Sequence, residues 1–418
     1  MSERSEDGAQ PPPSANPLGH GPVLLLTGAR LLDGRVVDVR ISGDRIQAVG
    51  TVGSLGPLPA MPGQPTVTTG ARIDLSGYLL LPAPAEPHGH YDSAFAAAPP
   101  GPGEDGPAEL VRRVTESALT SLGYGATAQR THVRIGDVHG LHRLEAVLTA
   151  RQALRGLAEL QAVAMPRLLT GRAGADGRAL LRDALKLGAD AAGGCPDLDP
   201  DPVGYVQAVL EAAAEADCPV DLHTDAADQA QLARLVAALA PHRPRVALGP
   251  CSALPPGGAG VLASAGVRVV CLPQNGGCTG LEGRPIGLRP ALVREFAQAR
   301  VALTAGAGAL RDASNPVGRA DPLDTARLLA AGGALSPEAA YDAVSTQARA
   351  TLGLPPVRVD AGFPAELLAV RGDSLPGALS GGHSRLVVHC GRIVSRTSAV
   401  REFADTVTLA LPRQNHPG

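Results

Sequence analysis

Two histidines separated by a single glycine, His88 and His90, are the first residues whose type and spacing could do chemistry. They follow the apolar run Tyr78–Leu81, which is typical of a strand. Residues at positions i and i+2 of a strand point to the same side, and neutral imidazoles are common ligands of divalent metals. The pair therefore predicts a metal site, although the spacing alone is equally compatible with a surface pair.

A second polar group lies in the loop 271–278, which follows an apolar run and is rich in turn-forming residues. Gln274 or Asn275 could be presented there to a ligand, and the same composition would also serve simply to turn the chain. The two cysteines of the loop have no third thiol at ligand spacing, so a structural zinc site is not expected there.

The middle of the chain, residues 82–354, must position these groups, and it alternates short apolar segments with Ala/Leu-rich helical periods. Leu157–Met165 precedes the helical period Gly177–Leu187, and Val220–His223 precedes Gln229–Ala240. Such alternation indicates βαβ units, and their number favours a (β/α)8 TIM-like barrel whose active site lies at the carboxyl ends of the strands. An open doubly wound sheet is the alternative, but no G-x-G-x-x-G motif follows an early strand.

Both ends of the chain have a different character, with short β runs separated by turn signals such as Asp33-Gly34. These runs predict a small antiparallel sheet, and together they indicate a β-sandwich-like domain built from residues 23–81 and 355–400. The composition of residues 1–21 predicts a disordered tail, and residues 401–418 are expected to form a C-terminal tail.

The overall composition excludes several classes of protein. The chain has 418 residues, 44% of them apolar, and a formal charge of −3, so it can bury a large core but has no basic surface for nucleic acid or membrane lipid. Its six cysteines form no C-x2-C pair, which favours a reducing cytoplasm. No signal peptide or membrane-spanning run is expected, and the predicted partner is a small molecule.

From residue 23 to residue 400, ordered motifs resemble those of the amidohydrolase superfamily, in particular its cytosine deaminase branch. The segment E-P-H-G-H-Y-D, residues 86–92, resembles that branch's E-P-H-x-H-L-D. Further similar segments, in chain order, are Arg130–Asp137, Leu160–Arg167, Leu180–Pro196, Val220–Asp225, Leu310–Gly318 and Ser336–Leu354. The resemblance implies the same barrel and small β domain, and homo-oligomers are common in this superfamily.

The resemblance also implies one divalent metal, zinc or iron, held by His88, His90 and His223. Without it, His223 would be interpreted as an ordinary core histidine. The aspartate that supplies the family's fourth metal ligand falls on Gly308 in this chain. Three histidines can still bind zinc and leave a fourth position for water.

Two proton-transferring positions of the family are also changed. The glutamate three residues after the later metal histidine is Ala226, and the histidine that orients the attacking water is Pro250. Each such group typically contributes about 10²–10⁴-fold to the rate, so cytosine deamination is expected to be impaired. Asp225, two residues past His223, is a replacement catalytic candidate, or it caps the following helix.

The substrate-contacting positions implied by the resemblance are more cationic than in the family. Arg167 replaces a pyrimidine-contacting glutamine and Arg134 replaces an aspartate, which hints at an anionic ligand such as a carboxylate or phosphate. Alternatively, these arginines pair with local carboxylates such as Asp137, or Arg134 is solvated. His132, retained from the family motif, either faces the barrel mouth as a substrate-binding residue beside Gln274 or packs within the strand layer.

The predicted function is therefore metal-dependent hydrolysis of a non-peptide C–N bond in a cyclic amide or amino-heterocycle. One alternative is a catalytically inactive protein that kept the barrel and binds a small ligand or regulates another protein. Another is a structural subunit that pairs with an active paralogue.

Overall fold

The computed structural model describes residues 23–56, 60–61, 64–68, 70–96, 106–136, 140–243, 245–274 and 289–400. The strands are β1 (Val23–Arg30), β2 (Val36–Ser42), β3 (Arg45–Thr51), β4 (Ala60–Met61), β5 (Gln64–Thr68), β6 (Gly70–Asp74), β7 (Tyr78–Pro82), β8 (Ala85–Gly89), β9 (Ala128–Ile135), β10 (Glu159–Pro166), β11 (Ala191–Gly194), β12 (Val220–Thr224), β13 (Val246–Pro250), β14 (Arg268–Cys271), β15 (Ala302–Ala305), β16 (Leu367–Arg371), β17 (Arg385–His389) and β18 (Arg392–Thr397). The helices are α1 (Pro107–Gly123), α2 (His142–Ala153), α3 (Gly174–Leu187), α4 (Pro202–Glu215), α5 (Gln229–Leu239), α6 (Gly258–Ala265), α7 (Pro290–Gln298), α8 (Pro322–Ala331), α9 (Pro337–Val344), α10 (Thr346–Thr351) and α11 (Leu375–Gly381). Two short 3-10 helices cover Pro196–Leu198 and Ala240–His242. The two predicted tails, residues 1–21 and 401–418, lie outside the described residues.

Eight parallel strands, β8 to β15, form one sheet whose spatial order follows the chain order. The two ends of this sheet meet through a parallel bridge between Gly89 and Gly308, where the Gly308 N–H donates to the carbonyl oxygen of His88 at 3.0 Å. The predicted (β/α)8 barrel is therefore confirmed. The open doubly wound alternative is wrong, because such a sheet reverses its strand order and leaves two edges.

Burial explains why these segments take their places in the barrel. All five residues of β12 are buried, as expected for a parallel strand that is covered on both faces. Helix α1 instead buries one stripe at a spacing of four residues, formed by Leu110, Val114, Ala118 and Leu122. Among the described residues, no helix combines the length and the apolar character needed to cross a bilayer.

The second sheet draws its strands from both ends of the chain, in the order β18-β17-β16-β7-β1-β2-β3, with β6 paired to β1. Strand β6 runs parallel to β1, pairing Val23 with Gly70 and Thr27 with Asp74. The expected purely antiparallel sheet is wrong at this point. Parallel neighbours cannot be joined by a tight hairpin, and β6 follows β1 only after β2 and β3 along the chain.

A buried ion pair fastens the second sheet to the barrel. Arg385 of β17 donates two hydrogen bonds to the carboxylate of Asp321, the residue that caps α8, both at 2.8 Å. The side chains are 7% and 2% exposed. The Arg385 guanidinium also donates to the carbonyl oxygen of Tyr124, just after α1, at 2.7 Å. One cation therefore joins three elements of the two units.

Replacing Arg385 by methionine should lower the free energy of unfolding by about 1.5–3 kcal/mol, because the buried Asp321 would lose its two shortest charged hydrogen bonds and, among the described residues, keep only Arg319, at 3.3 Å, as a cationic partner. Urea denaturation measures the change. Arg327→Met is the matched control, since Arg327 pairs with Asp324 on the surface of α8 and should lose no more than about 1 kcal/mol. Equal losses in the two variants would contradict the role given to the buried pair.

Candidate metal centre

The structure brings together the three histidines that the sequence predicted as metal ligands. His88 lies on β8 and His90 directly after it, while His223 lies on β12. The Nε2 atoms of His90 and His223 are 3.2 Å apart, and the rings of His88 and His223 are 4.3 Å apart between centroids. One ligand nitrogen from each residue lies within 4.8 Å of the others. All three face the carboxyl end of the barrel, where such folds place their active sites.

Burial keeps these imidazoles neutral. It lowers the pKa of His88 and His223 well below the usual range, and the neighbouring His132 lowers the pKa of both further. The same two effects lower the pKa of His90, which lies nearest the mouth, to about 4. At neutral pH every ring therefore keeps a lone pair, which a metal ligand requires.

Unsatisfied nitrogens show that a metal fits this cluster. Both ring nitrogens of His88 and the Nδ1 atom of His223 are buried, and among the described residues they have no hydrogen-bond partner. Buried polar atoms almost always have partners in folded proteins. A divalent cation would supply the missing partner to nitrogens that already converge. The residues present therefore fit a metal ion, with His88, His90 and His223 as its ligands.

A carboxylate lies behind the cluster, deeper in the barrel. The ring of His132 stacks on that of His88 with centroids 4.0 Å apart, and His132 Nε2 lies 3.3 Å from Asp221 Oδ1. Burial alone would raise the pKa of Asp221, but His132 and the 2.9 Å hydrogen bond from Arg130 outweigh it and lower that pKa. Asp221 is therefore an anion, and with His88 and His132 it forms a second group of ligand atoms within 4.8 Å.

Sequence reasoning missed Asp221 as a site residue. The signal was present, because Asp221 precedes His223 by two residues and the two side chains must point to the same face of β12. His132 was expected either at the mouth or packed within the strand layer. It is fully buried beneath His88, His90 and His223, and its contacts are with these histidines and with Asp221.

Glu86, two residues before His88, is a second buried carboxyl group that sequence reasoning did not single out. Burial raises its pKa to about 7, even though it accepts hydrogen bonds from the backbone N–H groups of Ala307 and His88. A Cβ at Gly306 would lie 2.6 Å from its Oε1 atom and 3.1 Å from the Cβ atom of His88, so a larger residue there would displace this carboxylate. Glu86 thereby joins β8 to the segment after β15 and fixes the backbone that carries His88.

The three positions where the family's ligand and proton-transfer groups are expected carry no titratable side chain. Gly308 bridges to Gly89, and Pro250 ends β13 in register with Thr224. Ala226 is buried just after β12. The backbone at each of the three positions therefore lies at the carboxyl end of the barrel, but the residue there has no side chain that could bind a metal or transfer a proton.

Asp225 is half-buried after β12, and its carboxylate accepts a hydrogen bond from the hydroxyl of Ser252. The alternative that it caps the following helix is wrong. The N-cap of α5 is Asp228, whose side chain accepts from the N–H of Gln231. The chain leaves β12 through a short loop before α5 begins, so the cap falls three residues later than expected. The catalytic assignment of Asp225 stays a prediction.

The cationic positions are found at the mouth end of the strands. Arg134 is exposed on β9, and its charge contributes to the lowered pKa of His90 and His223, which places it beside the cluster. Arg167 is exposed directly after β10. Their proposed partner Asp137 lies outside the described residues.

Both ends of the side-chain amide of Gln274 make hydrogen bonds within the protein. Its Nε2 donates to the carbonyl oxygen of Arg319 at 2.8 Å, and its Oε1 accepts from the Arg319 N–H at 2.8 Å. The amide thus holds the loop before α8, and Asn275 lies outside the described residues. The substrate-binding roles given to Gln274, Arg167 and His132 stay predictions.

Several solved structures share this architecture. N-isopropylammelide isopropylaminohydrolase from Burkholderia multivorans is 26% identical, with a TM-score of 0.74 over 90% of this chain and 99% of that one. 5-Methylcytosine deaminase from Klebsiella pneumoniae with 5-fluorocytosine is 20% identical, with a TM-score of 0.75 over 92% of this chain and 100% of that one. By fold, the chain belongs to the amidohydrolase superfamily. A triazine hydrolase variant is also similar, with 20% identity and a TM-score of 0.69 over 90% of this chain and 95% of that one. No protein-family model matches the sequence, and no curated protein does.

Protein purified without chelator should contain about one equivalent of zinc or iron per chain, and His88→Ala should lose most of it, because the cluster would keep only two of its three ligands. Elemental analysis by mass spectrometry measures the content. His142→Ala, which removes an exposed histidine from α2, should retain the metal. Unchanged metal content in His88→Ala would contradict this ligand set.

In metal-free protein, the free energy of unfolding should fall as the pH falls from about 6.5 toward 4. The unfolded chain takes up a proton on His90 in this range, while the folded chain keeps it neutral until about pH 4. Each such histidine contributes about 1.4 kcal/mol per pH unit.

Urea titrations in chelator at several pH values measure this slope. His90→Gln should flatten it by the contribution of one histidine, whereas His142→Gln on the surface should leave it unchanged. An identical slope for wild type and His90→Gln would show that His90 is not held neutral by its surroundings.

Proposed function

We propose that this protein is a metal-dependent amidohydrolase that hydrolyses a non-peptide C–N bond in a cyclic amide or an amino-heterocycle. The observation that carries the proposal is the convergence of three neutral, buried imidazoles with unpartnered nitrogens at the carboxyl end of the barrel. The names of the similar structures, two hydrolases and a deaminase, support this class of reaction.

His88, His90 and His223 would hold the metal, zinc or iron. When bound, such an ion supplies Lewis-acid chemistry and makes water a nucleophile near neutral pH. Beneath the ligands, the ionised Asp221 lies 3.3 Å from His132 Nε2 and is itself paired with Arg130. Groups of this kind orient ligand rings and tune the metal they hold.

The mouth of the barrel would receive the substrate. Arg134 and Arg167 lie exposed at the carboxyl ends of neighbouring strands, β9 and β10. Guanidinium groups bind carboxylates and phosphates through paired hydrogen bonds. The ring substrate is therefore inferred to carry an anionic group.

Cytosine itself is inferred to be a poor substrate. Ala226, Pro250 and Gly308 carry no group that accepts or donates a side-chain proton. Each missing acid or base typically costs about 10²–10⁴-fold in rate, although paired losses are not additive. Asp225 is half-buried and follows the proposed ligand His223 by two residues, and we infer that it accepts the proton from water.

Ala226, Pro250 and Gly308 also favour a second candidate function, that of a catalytically inactive protein that binds a small ligand. A barrel without proton-transfer groups can retain a metal and a cationic mouth. Binding would then serve recognition or regulation, since the fold by itself does not determine the reaction.

Metal-loaded protein assayed against cyclic amides, ureas and amino-heterocycles should release ammonia or an amine from at least one ring, and His88→Ala should abolish this release. His142→Ala should retain it. Cytosine turnover should lie at least about 100-fold below a typical enzymatic rate of about 10 s⁻¹.

Each other outcome has a defined meaning. Rapid turnover of cytosine would contradict the inferred impairment. A bound metal with ligand binding but no turnover of any ring would overturn the enzymatic proposal in favour of the inactive binding protein.

A further inference from the structure

The barrel contains a cavity at the end opposite the histidine cluster. Its walls include residues at or near the beginnings of strands, among them Arg130 of β9, Val220 of β12, Val246 of β13 and Arg268 of β14. Residues 350–353, at the end of α10, form another wall. The cavity volume of about 460 Å³ lies within the range of small-molecule sites.

Three arginines and one carboxylate line this cavity, and all but one of them are paired. Arg130 donates to Asp221 at 2.9 Å, and Arg245 donates to Asp217 at 2.6 Å. The lining carboxylate, Asp190, accepts from Arg151 at 2.7 Å. The fourth charged residue is Arg268, for which no ion pair is found among the described residues.

Arg268 therefore contributes an uncompensated positive charge. Its Nη1 atom is buried and has no hydrogen-bond partner within the described part of the chain. A buried donor of a charged group is costly to leave unpaired, and it marks a place where a partner is expected. Since the neighbouring charges are paired, an anion with a single charge would both accept from this Nη1 atom and compensate the charge of Arg268.

Apart from these charged residues, the lining combines the polar side chains of Gln161 and Thr351 with apolar walls. Val220, Val246, Ala247 and Leu352 contribute to the walls. A compact inorganic anion would satisfy Arg268 but leave these walls without a contact. A carboxylate attached to an apolar body satisfies both, because guanidinium binds a carboxylate through two parallel hydrogen bonds.

We propose that this cavity at the amino-terminal end of the barrel is a binding site for a small monocarboxylate with an apolar body, held by Arg268. The site is separate from the histidine cluster, and the inference does not depend on the proposed hydrolytic function.

The cavity is connected to the metal centre by a continuous polar path. Arg130 lines the cavity and donates to Asp221, Asp221 contacts His132 at 3.3 Å, and His132 stacks on His88. An anion beside Arg130 competes with Asp221 for its guanidinium. Occupancy of the cavity should therefore change metal affinity, and by reciprocity the metal should change carboxylate affinity by the same factor.

Benzoate titrated into the full-length protein by calorimetry tests the proposal, with inorganic phosphate as the compact anion. Wild type should bind benzoate more tightly than phosphate. Arg268→Gln should weaken benzoate binding by about tenfold or more, the loss expected for a charged hydrogen bond. Arg294→Gln, which removes the same charge from the exposed face of α7, should bind as wild type does.

Circular dichroism of both variants verifies that they fold. Equal benzoate affinity in wild type and Arg268→Gln, tighter binding of phosphate, or no binding of benzoate would each overturn the proposal. Because the titration is done on metal-free protein, failure of hydrolysis leaves it intact. Metal titrations with and without benzoate then measure the coupling, which Arg268→Gln should remove.

Discussion

The burial of four imidazoles against one another is the constraint on which the rest of this structure depends. His88, His132 and His223 are almost completely enclosed, and mutual proximity and the loss of water hold the ligand histidines neutral. Four protonated rings could not share this space. The histidines are therefore neutral and largely buried, and His88, His90 and His223 present ligand nitrogens within 4.8 Å of one another that could hold a cation.

This cluster requires that several strands end in register. Side chains from β8, β9 and β12 converge inside the barrel, whose sheet closes between Gly89 and Gly308. Glu86 reinforces that closure through the N–H of Ala307. The closing hydrogen bonds thus serve the site as much as the fold, because they set the position of His88.

The comparison with solved amidohydrolases separates the fold from the reaction. The fold is shared with the solved structures over about nine-tenths of this chain, whereas the three positions that the family resemblance assigns to proton transfer or to the fourth metal ligand are alanine, proline and glycine here. Similar backbones can host different chemistry because function lies in a few side chains. Two exposed arginines, Arg134 and Arg167, lie at the carboxyl ends of β9 and β10, and three further arginines line a cavity at the opposite end of the barrel.

The sequence by itself determined the alternation of strands and helices, the small β domain built from both chain ends, and the shared face of His88 and His90. These depend on local periodicity, which short segments carry within themselves. It also revealed the missing proton-transfer groups, because those are matters of residue type at matched positions.

Only the tertiary structure decided which distant groups meet. The stacking of His132 on His88, the anionic charge of Asp221, and the pairing of Arg385 with Asp321 join residues far apart in the chain. The parallel pairing of β6 and the internal hydrogen bonds of Gln274 are equally non-local. Periodicity fixes which face a side chain occupies, but its partners and its loss of water are set by strand closure and packing. These same long-range contacts decide whether a histidine is neutral enough to bind a metal.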